Sequence, residues 1–393
     1  ILYGANMIQP ISSMFNLGTE SAFEVLSRAE DLAKDGKDII NLGIGQPDFK
    51  TPEHIVDAAI RALRNGEHGY TPANGILSLR EAISEHISNQ YKADVHPDLI
   101  LVVPGGKVTM FFAITMFGKI DSEIIYPNPG FPIYQSLINF SGATPIPMRF
   151  HKKSGNSFNA DEVLSLITPK TSLLILNVPS NPTGSIVSKA EMDKLAHGLI
   201  NFPHVTVLSD EIYSRILFDK DEHLSFLNYE ALKDRVIILN GFSKTYAMTG
   251  WRIGYGIWPK NLIQLATRLA INYHSCVSSI SQFGGIAALT GSQEPVKVMV
   301  AKFRARRNLI VNGLNQIPGF DCPIPGGAFY AFPNIANTGY SSTKLQNDYL
   351  EKAGVAVISG SSFGHFGEGY LRFSYANSQK KIIEAIERLK KFS

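Results

Sequence analysis

The sequence predicts an α/β fold with a mostly parallel, seven-stranded sheet, helices on both faces and a smaller α+β domain. Seven short runs rich in Val, Ile and Leu indicate buried strands, and helical stretches separate most of them. Such alternation favours a parallel sheet with right-handed crossovers. The predicted strands are Leu99–Val103, Glu123–Tyr126, Thr144–Phe150, Ser172–Asn177, Val205–Leu208, Arg235–Leu239 and Ile253–Trp258.

Length and composition indicate an ordinary globular protein. The chain has 393 residues, which suggests two to three domains of roughly 150 residues each. Hydrophobic residues make up 44% and charged residues 18%, as in typical globular proteins. The net charge of +3 is too small to favour binding to nucleic acid or to a membrane.

The cysteines and the apolar runs indicate where the protein is located and whether it binds a metal. Cys276 and Cys322 are far apart, so neither a disulfide framework nor a metal site is predicted. The apolar runs fall far short of the roughly 20 residues that span a membrane. No basic segment followed by an apolar one marks a secretory signal. We therefore expect a soluble cytoplasmic protein.

Before the first strand of the sheet, the pattern predicts helices and a ligand-facing loop. Helical spacing of apolar residues covers Ser21–Asp35 and ends at Gly36, and Pro52–Asn65 forms a second helix. Between them a short strand breaks at glycines, and Gly45 lets the backbone approach a ligand closely or simply makes a turn. A polar loop carrying Tyr70 leads into another helix.

After about Leu289 the pattern changes to that of a smaller α+β domain. A long helix over Glu294–Asn315 leads to three short apolar runs and a basic amphipathic helix at the C-terminus. We predict three parts: residues 1–48 packing with the small domain, residues 49–290 as the large domain and residues 291–393 as the small domain.

Polar residues follow five separate predicted strands. Because ligands of open parallel sheets bind outside the carboxyl ends of the strands, we expect these residues to share one site. They are Gly106 with Lys107, Phe131, Asn181, Asp210 and Lys244.

The cationic and glycine residues suggest carbonyl and phosphate chemistry. Lys244 follows a buried strand, where a lysine is costly to desolvate and chemically usable, and Arg252 could hold a phosphate. Gly105 and Gly106, before a helix, suit an anion cradle of backbone N–H groups. This is no Walker A loop, since Val108 replaces its Ser or Thr.

Two further charged residues lie in apolar strands. Asp210 must be paired or ligated there, or it caps a following helix, on whose face Tyr213 would join it. Arg372 has no acidic residue nearby in the sequence, so it suits a bidentate carboxylate ligand, unless a distant Asp or Glu pairs with it.

Together these segments resemble a known family. SKTYAMTGWRIGY, SNPTG, SDEIY, GYTPANG, GQPDF and LRFSYA are similar to the motifs of class I/II aminotransferases, in that family's order. These enzymes form the aspartate aminotransferase superfamily, fold type I of the pyridoxal phosphate enzymes. The resemblance runs from about Glu20 to the C-terminus and implies pyridoxal 5'-phosphate as the cofactor.

The resemblance implies catalytic roles at the base of the site. Lys244 corresponds to the lysine that bonds to the cofactor. Asp210 corresponds to the carboxylate that keeps the pyridine nitrogen protonated and so makes the ring an electron sink. Tyr213 and Asn181 correspond to the pair that hydrogen-bonds the ring's phenolic oxygen.

The resemblance also implies a phosphate cup. Arg252 and the backbone of Gly106 and Lys107 correspond to its members. Many family members carry a serine three residues before the lysine, where this chain has Gly241. Ser243, two residues on, has the same strand parity and is our candidate replacement.

Substrate and partner residues follow from the same resemblance. Phe131 corresponds to the aromatic residue stacked on the ring, and Arg372 to the arginine that clamps the substrate's α-carboxylate. We add Gly45 and Asn181 to the substrate site. Tyr70 corresponds to a tyrosine that reaches the phosphate of the neighbouring subunit, which implies a homodimer with a shared site.

We therefore predict an aminotransferase that moves an amino group between an amino acid and a 2-oxo acid. The chain resembles the subgroup in which the lysine after the paired glycines can reach a substrate's distal carboxylate. This resemblance implies that Lys107 favours aspartate or glutamate, although it could contribute its backbone N–H alone. Leu17–Ala22 shape this pocket in a way the sequence does not reveal. Aromatic or small neutral amino acids remain open as substrates.

Three other functions compete with this prediction. A C–S β-lyase of the same fold would share every cofactor residue and stays an alternative. A transcription regulator would need a DNA-binding segment, and only about 20 residues precede the predicted fold. A plain nucleotide-binding protein is disfavoured because the GIG run lacks the third glycine of a dinucleotide fingerprint.

Overall fold

The computed structural model describes residues 9–151, 157–219 and 222–392. In chain order its strands are β1 (Ile40–Asn41), β2 (Ile100–Val103), β3 (Glu123–Asn128), β4 (Thr144–Arg149), β5 (Thr171–Asn177), β6 (Thr206–Asp210), β7 (Val236–Gly241), β8 (Gly254–Ile257), β9 (Tyr330–Ala331), β10 (Val355–Ala356), β11 (Ile358–Ser359) and β12 (Leu371–Ser374). The α-helices are α1 (Ser21–Lys34), α2 (Glu53–Arg64), α3 (Leu77–Tyr91), α4 (Lys107–Phe117), α5 (Ile133–Ser141), α6 (Ala160–Ser165), α7 (Lys189–Leu199), α8 (Ile263–Tyr273), α9 (Ser279–Thr290), α10 (Glu294–Leu314), α11 (Ser342–Asp348) and α12 (Gln379–Phe392). Within these ranges, no helix has both the length and the apolar character that crossing a membrane requires.

The central sheet contains the seven predicted strands. Their order is β2-β8-β7-β6-β5-β3-β4. β8 runs antiparallel to β2 and β7, and all other neighbouring pairs are parallel. The predicted mostly parallel sheet is therefore confirmed, and each predicted strand agrees with the observed one to within two residues at either end.

Both faces of the sheet are covered by helices. Along β5, Leu173 and Ile175 belong to one hydrophobic cluster, and Leu174 and Leu176 belong to the other. This alternation follows from the two-residue period of a strand. Helices α4, α5 and α8 pack on the first face, and α2, α3, α7 and α9 pack on the second. Burial of both faces explains why inner strands such as β5 are almost continuously apolar, whereas the edge strand β4 is partly exposed.

The remaining strands form two small sheets near the C-terminus. β11, β12 and β9 pair antiparallel, and β1 pairs parallel with β10, with Ile40 opposite Val355. Val25 of α1 shares a hydrophobic cluster with Ile358. The N-terminal segment thus contacts the C-terminal strands, while the domain boundaries at residues 48 and 290 stay predictions.

Strand register brings several chain segments to one edge of the central sheet. Asn177 at the end of β5 lies opposite Asp210 at the end of β6. Asp210 in turn lies opposite Leu239, two residues before the end of β7. The loops after these three strands therefore leave the sheet side by side, as expected for parallel strands.

The segment after Asp210 differs from the prediction. No α-helix forms in the described residues between β6 and β7, and the chain makes turns instead. The backbone N–H of Glu211 donates to the carbonyl of Leu239 at 2.9 Å, and that of Ile212 donates to Asp210 Oδ1 at 3.2 Å. These bonds draw the backbone across β7, so the predicted shared helical face with Tyr213 is wrong.

Candidate active site

A cavity of about 680 Å³ opens at the carboxyl edge of the central sheet. Nearly all residues that were predicted from the sequence to form the site line this cavity. Those lining it are Gly45, Gly106, Lys107, Phe131, Asn181, Asp210, Tyr213, Ser243, Lys244, Arg252 and Arg372. Tyr70 is different: its side chain is 94% exposed and it does not line this cavity.

Lys244 lies three residues beyond β7 and points into the cavity. Its Nζ donates to the carbonyl of Gly45 at 2.6 Å. Burial and, to a smaller extent, the charge of Arg372 lower the pKa of Lys244 to about 8. An amine with this pKa gains and loses a proton close to neutral pH, as a group that transfers protons must.

Asp210 is a buried carboxylate at the end of β6. Tyr134 donates from its hydroxyl to Oδ2 at 2.6 Å, and the backbone N–H of Ile212 donates to Oδ1. Burial raises the pKa of Asp210 to about 6, while these two hydrogen bonds lower it. Since no Lys, Arg or His of the described ranges forms an ion pair with it, the carboxylate suits a cationic ligand group.

Two tyrosines and two asparagines also line the cavity. The hydroxyls of Tyr213 and Tyr330 lie 2.8 Å apart and share a hydrogen bond. Asn177 Oδ1 accepts from the backbone N–H of Asn181 at 2.8 Å, and its Nδ2 donates to the carbonyl of Asp210 at 3.1 Å. These bonds fix the loop after β5 against the end of β6.

Arg372 projects from β12 and is only 3% exposed. It donates from Nη1 to Asn181 Oδ1 at 2.9 Å and from Nη2 to the carbonyl of Gly43. Its guanidinium carbon lies 4.6 Å from the ring centroids of both Tyr330 and Phe363. Nε is buried without a partner, and no acidic residue in the described part of the chain pairs with the guanidinium. A carboxylate ligand would satisfy it.

The start of α4 provides an anion cradle. Gly106 precedes the helix, whose first N–H groups have no intrahelical partners. Gly105 has φ of +90°, which favours glycine, and a Cβ there would lie 2.2 Å from Arg252 Nη2. Arg252 donates from Nη1 to the carbonyl of Thr249 at 3.0 Å, which aims its guanidinium at the cradle.

Lys107 has a partner that the sequence did not reveal. Its Nζ forms an ion pair with Glu20 and lies 5.2 Å from the ring centroid of Phe131. Glu20, Ala22 and Phe23 all line the cavity. The N-terminal segment that the sequence left unexplained therefore forms one wall of the site.

Comparison with known proteins accounts for this arrangement. The model of the family "Aminotransferase class I and II" matches residues 37–389. The chain belongs to this family. It is 37% identical over 392 residues to an aspartate aminotransferase of Rhizobium meliloti, covering 97% of this chain and 95% of that protein. An aromatic-amino-acid aminotransferase of Thermococcus litoralis is 36% identical over 364 residues, covering 92% of this chain and 93% of that protein. The crystal structure of the Rhizobium meliloti aspartate aminotransferase matches with a TM-score of 0.93 at 36% identity, over 98% of each chain.

Membership of the aminotransferase family confirms the fold and the activity predicted from the motifs. The fold type I architecture is shared with its structural neighbours over nearly the whole chain. The individual roles of the site residues, by contrast, stay predictions.

This aminotransferase has Gly241 at the position, three residues before the lysine, where a serine is expected. The packing of Gly241 against β8 explains the difference. Gly241 pairs with Gly254 of β8. A Cβ on Gly241 would lie 3.0 Å from Gly254 Cα and 3.3 Å from the carbonyl oxygen of Ile253. Because β7 ends at Gly241, the strand-parity argument does not extend to Ser243, although Ser243 lines the cavity.

Three aminotransferase site residues were missed from the sequence. Tyr134 follows Phe131 by three residues in the first turn of α5, so helical spacing could have suggested it. Tyr330 in β9 and Glu20 before α1 carry no local signal, since their contacts in the site are with residues 117 and 87 positions away.

Proposed function

We propose that this aminotransferase uses pyridoxal 5'-phosphate to exchange an amino group between an amino acid and a 2-oxo acid, with aspartate or glutamate favoured. One observation carries the proposal. A single cavity holds a buried carboxylate, a buried guanidinium and a lysine of lowered pKa, and no described residue forms an ion pair with either of the first two.

The residues present fit this cofactor, which the class I and II aminotransferases use. Buried Asp210 suits a protonated ring nitrogen, and the cradle before α4 suits a phosphate. When bound, pyridoxal phosphate draws electrons away from the α-carbon of the amino acid. The residues proposed to hold it are Lys244, Asp210, Asn181, Tyr213, Phe131, Gly106, Lys107, Ser243 and Arg252 of one subunit, with Tyr70 of the other.

Lys244 is the proposed proton carrier. With a pKa of about 8, about a tenth of its amine is neutral at pH 7 and can accept a proton. Its Nζ would take the α-proton of the amino acid and return a proton on the way to the 2-oxo acid. The hydrogen bond to Gly45 holds Nζ inside the cavity between these transfers.

Arg372 is the proposed clamp for the α-carboxylate. Its Nε lacks a partner, and its planar guanidinium can bind a carboxylate in two parallel hydrogen bonds. Contacts with Asn181 and with two aromatic rings fix its orientation. A clamp fixed in advance positions the α-carbon for proton transfer.

Lys107 supports acidic substrates. Its half-exposed side chain reaches the ring of Phe131 at the wall of the cavity, where a distal carboxylate of aspartate or glutamate could bind. The relatives named aspartate aminotransferase support the same preference.

Aromatic amino acids are the second candidate substrates, because part of the cavity wall is apolar. Phe23, Ile44 and Met110 line it together with Phe131. The relative named aromatic-amino-acid aminotransferase supports this alternative.

We further propose a homodimer with shared sites. Tyr70 is 94% exposed in its own chain, which is unusual for a large aromatic residue unless a partner covers it. A phenol hydroxyl that donates to a phosphate makes a charge-assisted hydrogen bond. Tyr70 would make this bond to the cofactor held by the other subunit. The cytoplasmic location stays a prediction.

Two measurements test the proposal. Borohydride reduction of the purified enzyme, followed by peptide mass spectrometry, should find the cofactor's mass on the peptide containing Lys244. A panel of amino donors with 2-oxoglutarate should then show turnover, with aspartate among the better donors. Lys244→Ala should abolish both signals, whereas exposed Lys260→Ala should keep both. Cofactor on another lysine, or turnover by Lys244→Ala, would overturn the proposal.

A further inference from the structure

We propose that Glu20 is a built-in competitor for Lys107, which lets one pocket accept both acidic and aromatic side chains. The proposal rests on the proposed function and names the residue that sets its substrate range. With an aromatic substrate, Glu20 stays paired with Lys107. With an acidic substrate, the distal carboxylate takes the place of Glu20.

The ion pair lies in the wall of the cavity and is partly open to solvent. Glu20 has a side chain only 16% exposed, against 46% for Lys107, and both line the cavity. The charge of Glu20 also affects the pKa of Lys244, which lies deeper in the site. The pKa of Lys244 is lowered by burial and by the charge of Arg372, and Glu20 partly opposes that shift.

Glu20 is held in place by its neighbours in the chain. It directly precedes α1, and the backbone N–H of Gly18 donates to Ser136 Oγ of α5 at 2.9 Å. Thr19 donates from its hydroxyl to Glu24 at 2.9 Å. These hydrogen bonds anchor the segment that carries Glu20. Its carboxylate is therefore held beside Lys107, where it competes with the distal carboxylate of a substrate.

The chemistry of the exchange distinguishes the two substrate classes. A substrate's distal carboxylate is the same chemical group as the Glu20 side chain, so it can replace Glu20 at Lys107 one for one. An aromatic side chain cannot neutralise Lys107, and a substrate ring that lies against Phe23 and Met110 would cover part of the half-exposed ammonium, so leaving it unpaired would be costly. The ion pair removes that cost, at the expense of affinity for dicarboxylates.

The test measures binding of two unreactive acids to the intact holoenzyme by calorimetry. Succinate represents the acidic substrates, and 3-phenylpropionate represents the aromatic ones. In Glu20→Gln we expect succinate to bind about tenfold more tightly, as for removal of a partly buried competing charge. We expect 3-phenylpropionate to bind no better, and the kcat/KM ratio of aspartate to phenylalanine to rise. Glu20→Ala should behave in the same way.

Two controls isolate the competition. Glu30→Gln removes an exposed carboxylate of α1 that does not line the cavity, and it should leave both affinities unchanged. In a Lys107→Ala background, Glu20→Gln should no longer improve succinate binding. An unchanged or weaker succinate affinity in Glu20→Gln, or the same gain without Lys107, would overturn the inference. If the wild-type enzyme transferred no amino group from any donor, the proposed function would fail, whereas the succinate titration would still judge Glu20 by itself.

Discussion

Burial raises the pKa of Asp210 to about 6, above the roughly 3.9 of an aspartate in an unfolded chain. Between these two values the unfolded chain has released the proton while the folded chain still holds it. The contribution of Asp210 to stability is therefore present below about pH 4 and is lost as the pH rises through about 6. The carboxylate that the proposed chemistry needs at neutral pH destabilises the cofactor-free fold.

Asp210→Asn should stabilise the cofactor-free protein at pH 7.5 by on the order of 2 kcal/mol, because no buried charge remains. The gain should shrink towards zero near pH 4. Thermal unfolding across this pH range measures it, with exposed Asp94→Asn as the control. An Asp210→Asn protein that is no more stable than the wild type at pH 7.5 would contradict this account of the carboxylate.

The hydroxyl of Tyr134 tunes the same carboxylate. Its hydrogen bond to Oδ2 favours the ionised form and lowers the pKa of Asp210. A hydrogen bond to a charged group is worth about 1.5–3 kcal/mol, so Tyr134→Phe should raise that pKa by about one to two units. The pH below which the protein loses affinity for pyridoxal phosphate should rise accordingly.

Titration of the cofactor-free protein with pyridoxal phosphate at several pH values tests this shift. Tyr229→Phe is a matched control, because its hydroxyl bonds Asp193, which does not line the cavity. An unchanged midpoint in Tyr134→Phe would show that the hydrogen bond does not control the ionisation of Asp210.

Among the elements, β7 and β8 are held close at a pair of glycines. Restoring the family's serine by Gly241→Ser would place a Cβ 3.0 Å from Gly254 Cα, inside normal contact distance. We expect a loss of about 1–3 kcal/mol of stability from this overpacking, with no gain in cofactor affinity. Gly69→Ser is the control, since a Cβ there has open space. A Gly241→Ser protein that is equally stable and binds the cofactor more tightly would refute this explanation.

The same elements show what the sequence can and cannot predict. All seven central strands were predictable as short runs containing apolar residues, most clearly the inner strands buried on both faces, such as Val236–Gly241. The helix expected after Asp210 was wrong, because the N–H of Glu211 bonds to β7 and the backbone that follows closes into separate turns, from Ser214 to Glu211 and from Ile216 to Tyr213. Hydrophobic patterns record burial, whereas a turn set by a neighbouring strand leaves no local pattern.

Contacts between residues that are far apart in the chain set the second limit on what the sequence can predict. The residues predicted from the sequence include 11 of the 24 around the cavity, among them Arg372, which β12 delivers from near the C-terminus. Glu20 and Tyr330 escaped notice because each meets its partner through tertiary packing alone. Sequence patterns therefore do not predict site residues whose partners lie in distant segments of the chain.

For the whole molecule, the proposed sharing of Tyr70 predicts complementation between inactive variants. Tyr70→Phe and Lys244→Ala should each be severely impaired as homodimers. After mixed refolding, half of the dimers should carry one intact site, giving about a quarter of wild-type activity. Wild-type enzyme that stays fully active as a monomer at high dilution, or a mixture with no recovered activity, would contradict the shared site.

The central claim is that this aminotransferase moves an amino group from one carbon skeleton to another and needs Lys244 as the proton carrier. Incubation of the enzyme with ¹⁵N-glutamate and oxaloacetate, followed by NMR, tests it directly. We predict that the wild-type enzyme produces ¹⁵N-aspartate and that Lys244→Ala does not. Absence of ¹⁵N-aspartate, together with release of pyruvate and ammonium from a cysteine conjugate without any 2-oxo acid, would instead indicate an eliminating enzyme such as a C–S β-lyase. That result, or ¹⁵N-aspartate formed by Lys244→Ala, would contradict the account.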